Sequence, residues 1–305
     1  GIEPPQTWAD LADPKFENQI AVSDPTKSGT VTAMFECMLQ INMTGQDQAG
    51  GWAKGLQQIR RIGANTRYWT DSSTKIPLDV SEGEALAGIC VDFYGRNVME
   101  RLTKANGRSR LGFLAPPGET TISPQPVAMF RGASNPELAT RFIEFLLTPE
   151  CQKLWGLKAG APGGPEKMAL RNMPIRRDYY IKANLAHAAD PELRPLEPGM
   201  AIQYEPKYTA DLFASIRFLI RAMCIDPHHE LKDAWHELIA HNFPPEATAV
   251  FDSLPASLGY DLVRKKIAPV LKAKDPAAMT RLARELSETF RQNYLKARDL
   301  AREGK

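Results

Sequence analysis

Residues 23–30, Ser-Asp-Pro-Thr-Lys-Ser-Gly-Thr, gather hydroxyls, a glycine and a lysine between two apolar tracts. Gln19–Ser23 before them reads as a strand. After them Met34, Phe35, Cys37, Met38, Leu39 and Ile41 recur at helical spacing. A turn that leaves a strand and opens a helix presents backbone N–H groups with no intrahelical partner, at the positive end of the helix dipole. Ser28 and Thr30 add hydroxyl donors, and Gly29 lets a ligand approach the backbone closely. The chemistry on offer is capture of an oxyanion, a phosphate or a carboxylate. A plain Ser or Thr helix cap explains the same residues. The glycines and lysine do not follow the Walker A order.

Other chemistry-bearing residues are less well spaced. His228 and His229 are adjacent, and "HELIAH" (236–241) holds two histidines five apart. A zincin helix needs them four apart; five positions turn the two rings about 140° away from each other. That tract reads as a surface helix. Tyr179-Tyr180 and Phe93-Tyr94 are aromatic doublets, the first read as packing. No G-x-S-x-G occurs, and Cys37, Cys90, Cys151 and Cys224 form no C-x-x-C, which argues against a zinc cluster and leaves a single disulfide open. The residues give no positive sign of catalysis, metal or cofactor.

The elements that must position these groups alternate in type. Beyond the first strand and helix, Trp52, Leu56, Ile59 and Ile62 form a helical stripe, and 66–69 reads as a strand. Residues 85–94 contain a continuous apolar run, read as a strand buried on both faces. Residues 97–104 look helical, and 110–115 and 126–130 read as further strands. Such alternation predicts an α/β sheet with parallel pairs. Asn135-Pro136-Glu137 and Thr148-Pro149-Glu150 are helix starts, and 156–167 is a Gly- and Pro-rich loop. From about 207 the chain reads as nearly all helix, with stripes at Leu212–Met223, Leu231–Leu238 and Met279–Tyr294.

With 305 residues, 43% hydrophobic and 24% charged, the chain can bury a sizeable core. Its formal net charge of +2 gives no reason to expect nucleic acid, DNA included, or an anionic membrane as partner. No apolar run approaches bilayer length.

Three ordered stretches resemble one family. "PQTWADLADPKFENQIAVSDPTKSGT" (5–30), "VSEGEALAGICVDFY" (80–94) and "PVAMFRGASNPELATRFIEFLLTPECQKLW" (126–155) look like the segments of bacterial extracellular solute-binding proteins of ABC importers, the group that includes ferric-iron, phosphonate, sugar-phosphate, thiamine and polyamine binders. The resemblance runs from residue 5 to about 180. It implies a type II periplasmic-binding-protein α/β fold in which two lobes close on one ligand. Residues 1–125 would be the second α/β lobe, complete. Residues 126–186 would be a hinge strand and the return to the first lobe, and 187–305 a mainly helical C-terminal region. Roughly a hundred residues, a small domain's worth, precede "PQTWADL" in the family, so the resemblance implies a fragment with an incomplete first lobe. The chain begins at Gly1 with no signal peptide; the family's place is nonetheless periplasmic or extracellular and membrane-associated.

Carried onto this sequence, the resemblance makes Ser28, Gly29 and Thr30 the anion-contacting turn. Phe93 and Tyr94 fall where ferric binders carry paired tyrosines on a strand. With Phe in the first place, Tyr94 alone remains as a metal ligand for Fe3+ with a synergistic anion. Asp92 would hydrogen-bond a polar ligand or amine. Tyr68, Trp69, Ser72 and Ser73 follow a strand whose carboxyl end should face the cleft. The implied function is non-catalytic: a substrate-binding component capturing a small anionic solute or ferric–anion complex by interlobe closure, with an ABC transporter permease as partner. A polyamine binder is the alternative within the family. An enzyme or a cytoplasmic effector-binding module on the same fold are the alternatives outside it.

Overall fold

The structure, a computed structural model, describes residues 2–123 and 125–305; Gly1 and Pro124 lie outside them. Three parallel strands form its sheet: β1 (Ile20–Ser23), β2 (Thr66–Thr70) and β3 (Ala87–Gly88), in the order β2-β1-β3. Ile20 lies opposite Thr66 on one side and Ala87 on the other, and Ser23 opposite Thr70. Parallel neighbours need crossovers, and helices supply them. α1 (Gly29–Asn42) and α2 (Gln48–Asn65) join β1 to β2, α3 (Ile76–Glu82) joins β2 to β3, and α4 (Asp92–Asn106) follows β3.

Side chains alternate along β1. Ile20 and Val22 face the main core beside α1 and α2, whereas Ala21 packs with Ile76 and Ala85 under α3. α2 buries Trp52, Leu56, Ile59 and Ile62 completely. Each such side chain contributes about 1.5–3 kcal/mol. Asp47 accepts from the Gly50 N–H at 2.8 Å and caps the helix.

The second half is helical, as its stripes require: α5 (Pro136–Leu146), α6 (Pro149–Gly156), α7 (Lys182–Leu185), α8 (Pro206–Thr209), α9 (Phe213–Ile220), α10 (His228–Ala240), α11 (Pro245–Asp252), α12 (Tyr260–Leu262), α13 (Ala268–Ala273) and α14 (Pro276–Arg302). Asp275 caps α14, whose Leu286, Phe290, Tyr294, Ala297 and Ala301 are buried. The helices from α9 onward share one hydrophobic core with α1 and α2. Buried polar bonds fix that docking. Trp235 Nε1 donates to Asn65 Oδ1 at 2.7 Å, Trp52 Nε1 to the Leu258 carbonyl at 3.0 Å, and the buried Arg60 guanidinium to the Phe251 carbonyl beneath the Phe290 and Tyr294 rings. All four cysteines are free thiols.

Three strand expectations fail. In 85–94 only Ala87 and Gly88 pair, because β1 offers just four residues, and Asp92 already begins α4. An apolar run cannot by itself separate a buried strand from a strand end running into a helix. Residues 110–115 have no ladder partner and are held by side chains: Phe113 packs against Gly95, with the Arg96 guanidinium 4.9 Å from its ring centre. Residues 126–130 are unpaired chain, with Phe130 88% exposed. α5 forms and is capped by Asn135, yet its apolar stripe is open: Leu138 is 62% and Phe142 55% exposed. The observed architecture is therefore a small parallel sheet in a mostly helical α/β chain.

Gly63 on α2 tests the shared core. A Cβ there would stand 2.8 Å from Cys224 Sγ and 3.5 Å from Leu231 Cδ2. Gly63→Val is expected to destabilise the protein by about 1–3 kcal/mol. Gly112→Ala, facing open space, should stay within about 0.5 kcal/mol. Urea unfolding of the two variants checks this.

Candidate functional site

Parallel pairing sends the carboxyl ends of β1, β2 and β3 to one edge of the sheet. The chain that follows each of them carries one group of the expected site residues: 28–30 after β1, 72–73 after β2 and 92–94 after β3.

The turn after β1 is built by Asp24. Its Oδ1 accepts from the Thr26 N–H at 2.7 Å, and its carbonyl accepts from Lys27 and Ser28, each at 2.9 Å. Ser28 is the N-cap of α1, its Oγ accepting from the Val31 N–H at 3.3 Å. The Thr32 N–H goes to the Ser28 carbonyl, and the buried Thr32 hydroxyl contacts the Pro25 and Ser28 carbonyls at 2.8 and 2.9 Å. That leaves the N–H groups of Gly29 and Thr30 with no acceptor among the described residues. Both residues are exposed.

The next neighbour has no local signature. Arg217, from α9, donates from Nε to Thr32 Oγ1 at 3.2 Å, and its Nη2 lies 3.8 Å from where a Cβ on Gly29 would be. Its own Phe213 ring lies beneath the guanidinium at 4.7 Å. The only local signal was an arginine inside the apolar stripe "FASIRFLI", which is ordinary for a half-exposed helix.

The other groups are committed differently. Asp92, Phe93 and Tyr94 form the first turn of α4, not a strand. Phe93 and Tyr94 touch edge to face with ring centres 4.4 Å apart, so no pair of phenolates projects from one strand. Burial pushes the Asp92 carboxyl up, against the opposing pull of the Phe93 N–H and Arg96. A carboxylate thus already occupies the positive end of α4.

Trp69 turns toward the core, its indole near Phe35 and edge-on to His228 with centres 6.4 and 6.3 Å away. Tyr68 points to the opposite face and donates to Asp79, with Lys75 Nζ 5.0 Å from its ring centre; burial and Asp79 push its phenol up. Ser72 is exposed, its Oγ 2.8 Å from Thr74 Oγ1, and Ser73 is half-buried. Tyr68 and Trp69 thus lie within β2 and face away from its end, and the two serines alone of these four follow it at the edge.

The histidines do not converge. His236 Nδ1 meets Glu17 Oε1 at 2.8 Å, and His241 Nδ1 lies 2.9 Å from the Glu237 carbonyl on its own helix. Among the described residues no three His, Cys, Asp or Glu side chains are placed to share a metal ion. Tyr179 and Tyr180 meet edge to face at 5.1 Å, and Tyr180 donates to the Pro174 carbonyl at 2.7 Å. Among the described residues no helix is long and apolar enough to cross a membrane.

A sheet that opens its carboxyl edge toward a donor-bearing helix start is the layout of a small-solute receptor. The family model described as "bacterial extracellular solute-binding protein" matches residues 1–179. The chain belongs to that family. It is similar to the phosphoglycerate transport regulatory protein PgtC of Salmonella typhimurium, 25% identical over 153 residues, which is 50% of this chain and 34% of that protein. An uncharacterised protein of Haemophilus influenzae is 28% identical over 152 residues, 50% of this chain and 40% of the relative. The matched region thus spans well under half the length of these relatives. No solved structure matches the chain.

His228 makes the packing behind Trp69 sensitive to acid. Its Nε2 lies 3.0 Å from the Thr66 carbonyl, an acceptor only, so Nε2 carries the hydrogen. Burial, then Lys232, lowers its pKa below 6.5. The fold favours the neutral ring, so the unfolded chain takes up the proton first as pH falls. This contribution is complete above the unfolded value and is lost as pH falls through the folded one. Between pH 7.5 and 5, His228→Gln should lose less melting temperature than the parent protein. Equal losses would contradict the assignment.

Proposed function

We propose that the protein is the substrate-binding component of an ABC importer, taking up a small anionic solute at the start of α1. The observation that carries this reading is the pair of N–H groups on Gly29 and Thr30. They stand without acceptors at the positive end of a fourteen-residue helix, on the carboxyl edge of the sheet. Ser28 would hold the turn, while Thr30 would add its hydroxyl to the two amides. Gly29 would let the anion reach the backbone without a Cβ in the way. The start of α4 is the poorer anion site, because Asp92 already faces it.

Family membership supports the transport role, a permease partner and a location outside the cytoplasm. The name of the Salmonella relative supports a phosphorylated three-carbon acid as the first solute to test. In this mechanism the ligand bridges the α1 edge and an opposing lobe. Contacts made only when the lobes meet shift the open–closed equilibrium toward the closed state. The Tyr94 route to a ferric–anion cargo is less supported, since its neighbour is Phe93 and both lie on a helix.

Calorimetry with phosphoglycerate tests the reading. Ser28→Ala combined with Thr30→Val is expected to weaken binding at least tenfold, about 1.4 kcal/mol. Unchanged affinity would overturn the assignment of the turn.

A further inference from the structure

A cleft of about 410 Å3 lies between α4 and the chain at 171 and 190–192. That is within the range of small-molecule sites, about 300–1,000 Å3. It shares no residue with the Ser28–Thr30 turn. Arg96, Glu100 and Lys104, spaced four apart, present one face of α4 to it. Met99 and Phe113 give it an apolar wall. Asp190 and Glu192 lie beyond residues 1–179 that match the family model, so the far wall is built partly outside the family segment.

The charges of the cleft are sorted by depth. Arg96, Arg171 and Asp190 are the deep ones, their side chains 12%, 9% and 11% exposed. Glu100, Glu192 and Lys104 form the rim, at 34%, 64% and 75%. The deep trio therefore carries one net positive charge, and the rim one net negative charge. Asp190 Oδ1 meets Nη1 of both guanidinia. Arg171 also gives Nη2 to Glu100 at 2.7 Å. Arg96 gives Nη1 to Glu192 at 2.9 Å and lies on the Phe113 ring, 4.9 Å from its centre. Donors remain after these bonds are counted. The Nε hydrogens of both arginines, and those on Arg96 Nη2, have no acceptor among the described residues. Enclosed guanidinium hydrogens left so are costly. At the rim an acceptor remains, since Glu192 spends only Oε1. Arg171 keeps its place with φ at 56°, a left-handed conformation that a side chain of its size seldom adopts and that gathers at binding sites.

We propose that this cleft is a second solute site, taking a small zwitterion of the α-amino-acid type. The carboxylate would lie inward against Arg96 and Arg171 and supply the negative charge that the deep trio lacks. The ammonium would lie at the rim against Glu192, and an apolar side chain would rest on Met99 and Phe113. A guanidinium takes a carboxylate through charge-assisted hydrogen bonds, and one already held flat on an aromatic ring loses little freedom in doing so. A solute of one sign would satisfy one layer and be repelled by the other. The order of signs along the cleft, rather than their sum, thus sets the ligand class.

The test is calorimetric titration of the protein with leucine, with isocaproate, which lacks the ammonium, and with isoamylamine, which lacks the carboxylate. Leucine should bind at millimolar concentration or below, and each analogue about ten- to a hundredfold more weakly. Arg96→Met, which keeps an unbranched stem against Phe113, should bring leucine down to the level of isoamylamine while leaving isoamylamine binding no weaker. Glu192→Gln, at an exposed rim position, should bring leucine down toward isocaproate, and serves as the readout if Arg96→Met does not fold. Absence of leucine binding, equal affinity for the three compounds, or a leucine affinity that neither variant alters would overturn the site.

Discussion

Parallel pairing on both sides of β1 is the constraint on which the rest depends. Because Ile20 aligns with Thr66 and Ala87 in the same direction, all three strands end at one edge. Each must then be followed by a crossover or an outgoing helix, so α1, the short α3 and α4 all start at that edge, α1 and α4 being the long ones. Their positive ends arrive there as a consequence of topology. The sheet is short, so it cannot bury its faces alone. α2 covers one side and docks in turn on α10 through Trp235, on α11 and α14 through Arg60, and on the Leu258 turn through Trp52. A change in that helical layer would reach the edge through His228, which packs on Thr66 and Trp69 of β2.

The two helix starts are not equivalent, and the difference is electrostatic. α4 begins with its own carboxylate, Asp92, half-buried in the first turn. α1 begins with a serine cap and two spare amides, and a guanidinium comes in from α9. One end is supplied with an anion by the chain; the other is supplied with donors. A ligand that is itself anionic would gain at the second and lose at the first. This asymmetry separates the two candidate groups that the sequence had ranked only by resemblance.

Much of this was legible in the residues. The stripes of α1, α2 and α14 each keep three- and four-residue spacing over several turns, long enough for periodicity to outweigh local preference. Asn135, Thr148 and Ser28 cap where their types and the following residues predicted. The strand at 85–94 was misread because its length depends on β1, a partner remote in sequence. Residues 110–115 and 126–130 have strand composition but no ladder to join, and composition does not supply a neighbour. The open face of α5 shows the same limit: amphipathic spacing states that a face should be covered, not that it is. Trp69 was placed at the edge by its position after a strand, yet pleat alternation turns it to the core. Arg217 had no local signature at all, since its meaning comes from a contact made 185 residues away, with Thr32.

The central claim is that the start of α1 receives an anion. Amide 1H–15N spectra of the protein during titration with phosphoglycerate examine it atom by atom. The account predicts that the Gly29 and Thr30 amides shift first and most, along one binding curve. Shifts centred instead on Asp92–Tyr94, with Gly29 and Thr30 unmoved at saturation, would contradict it.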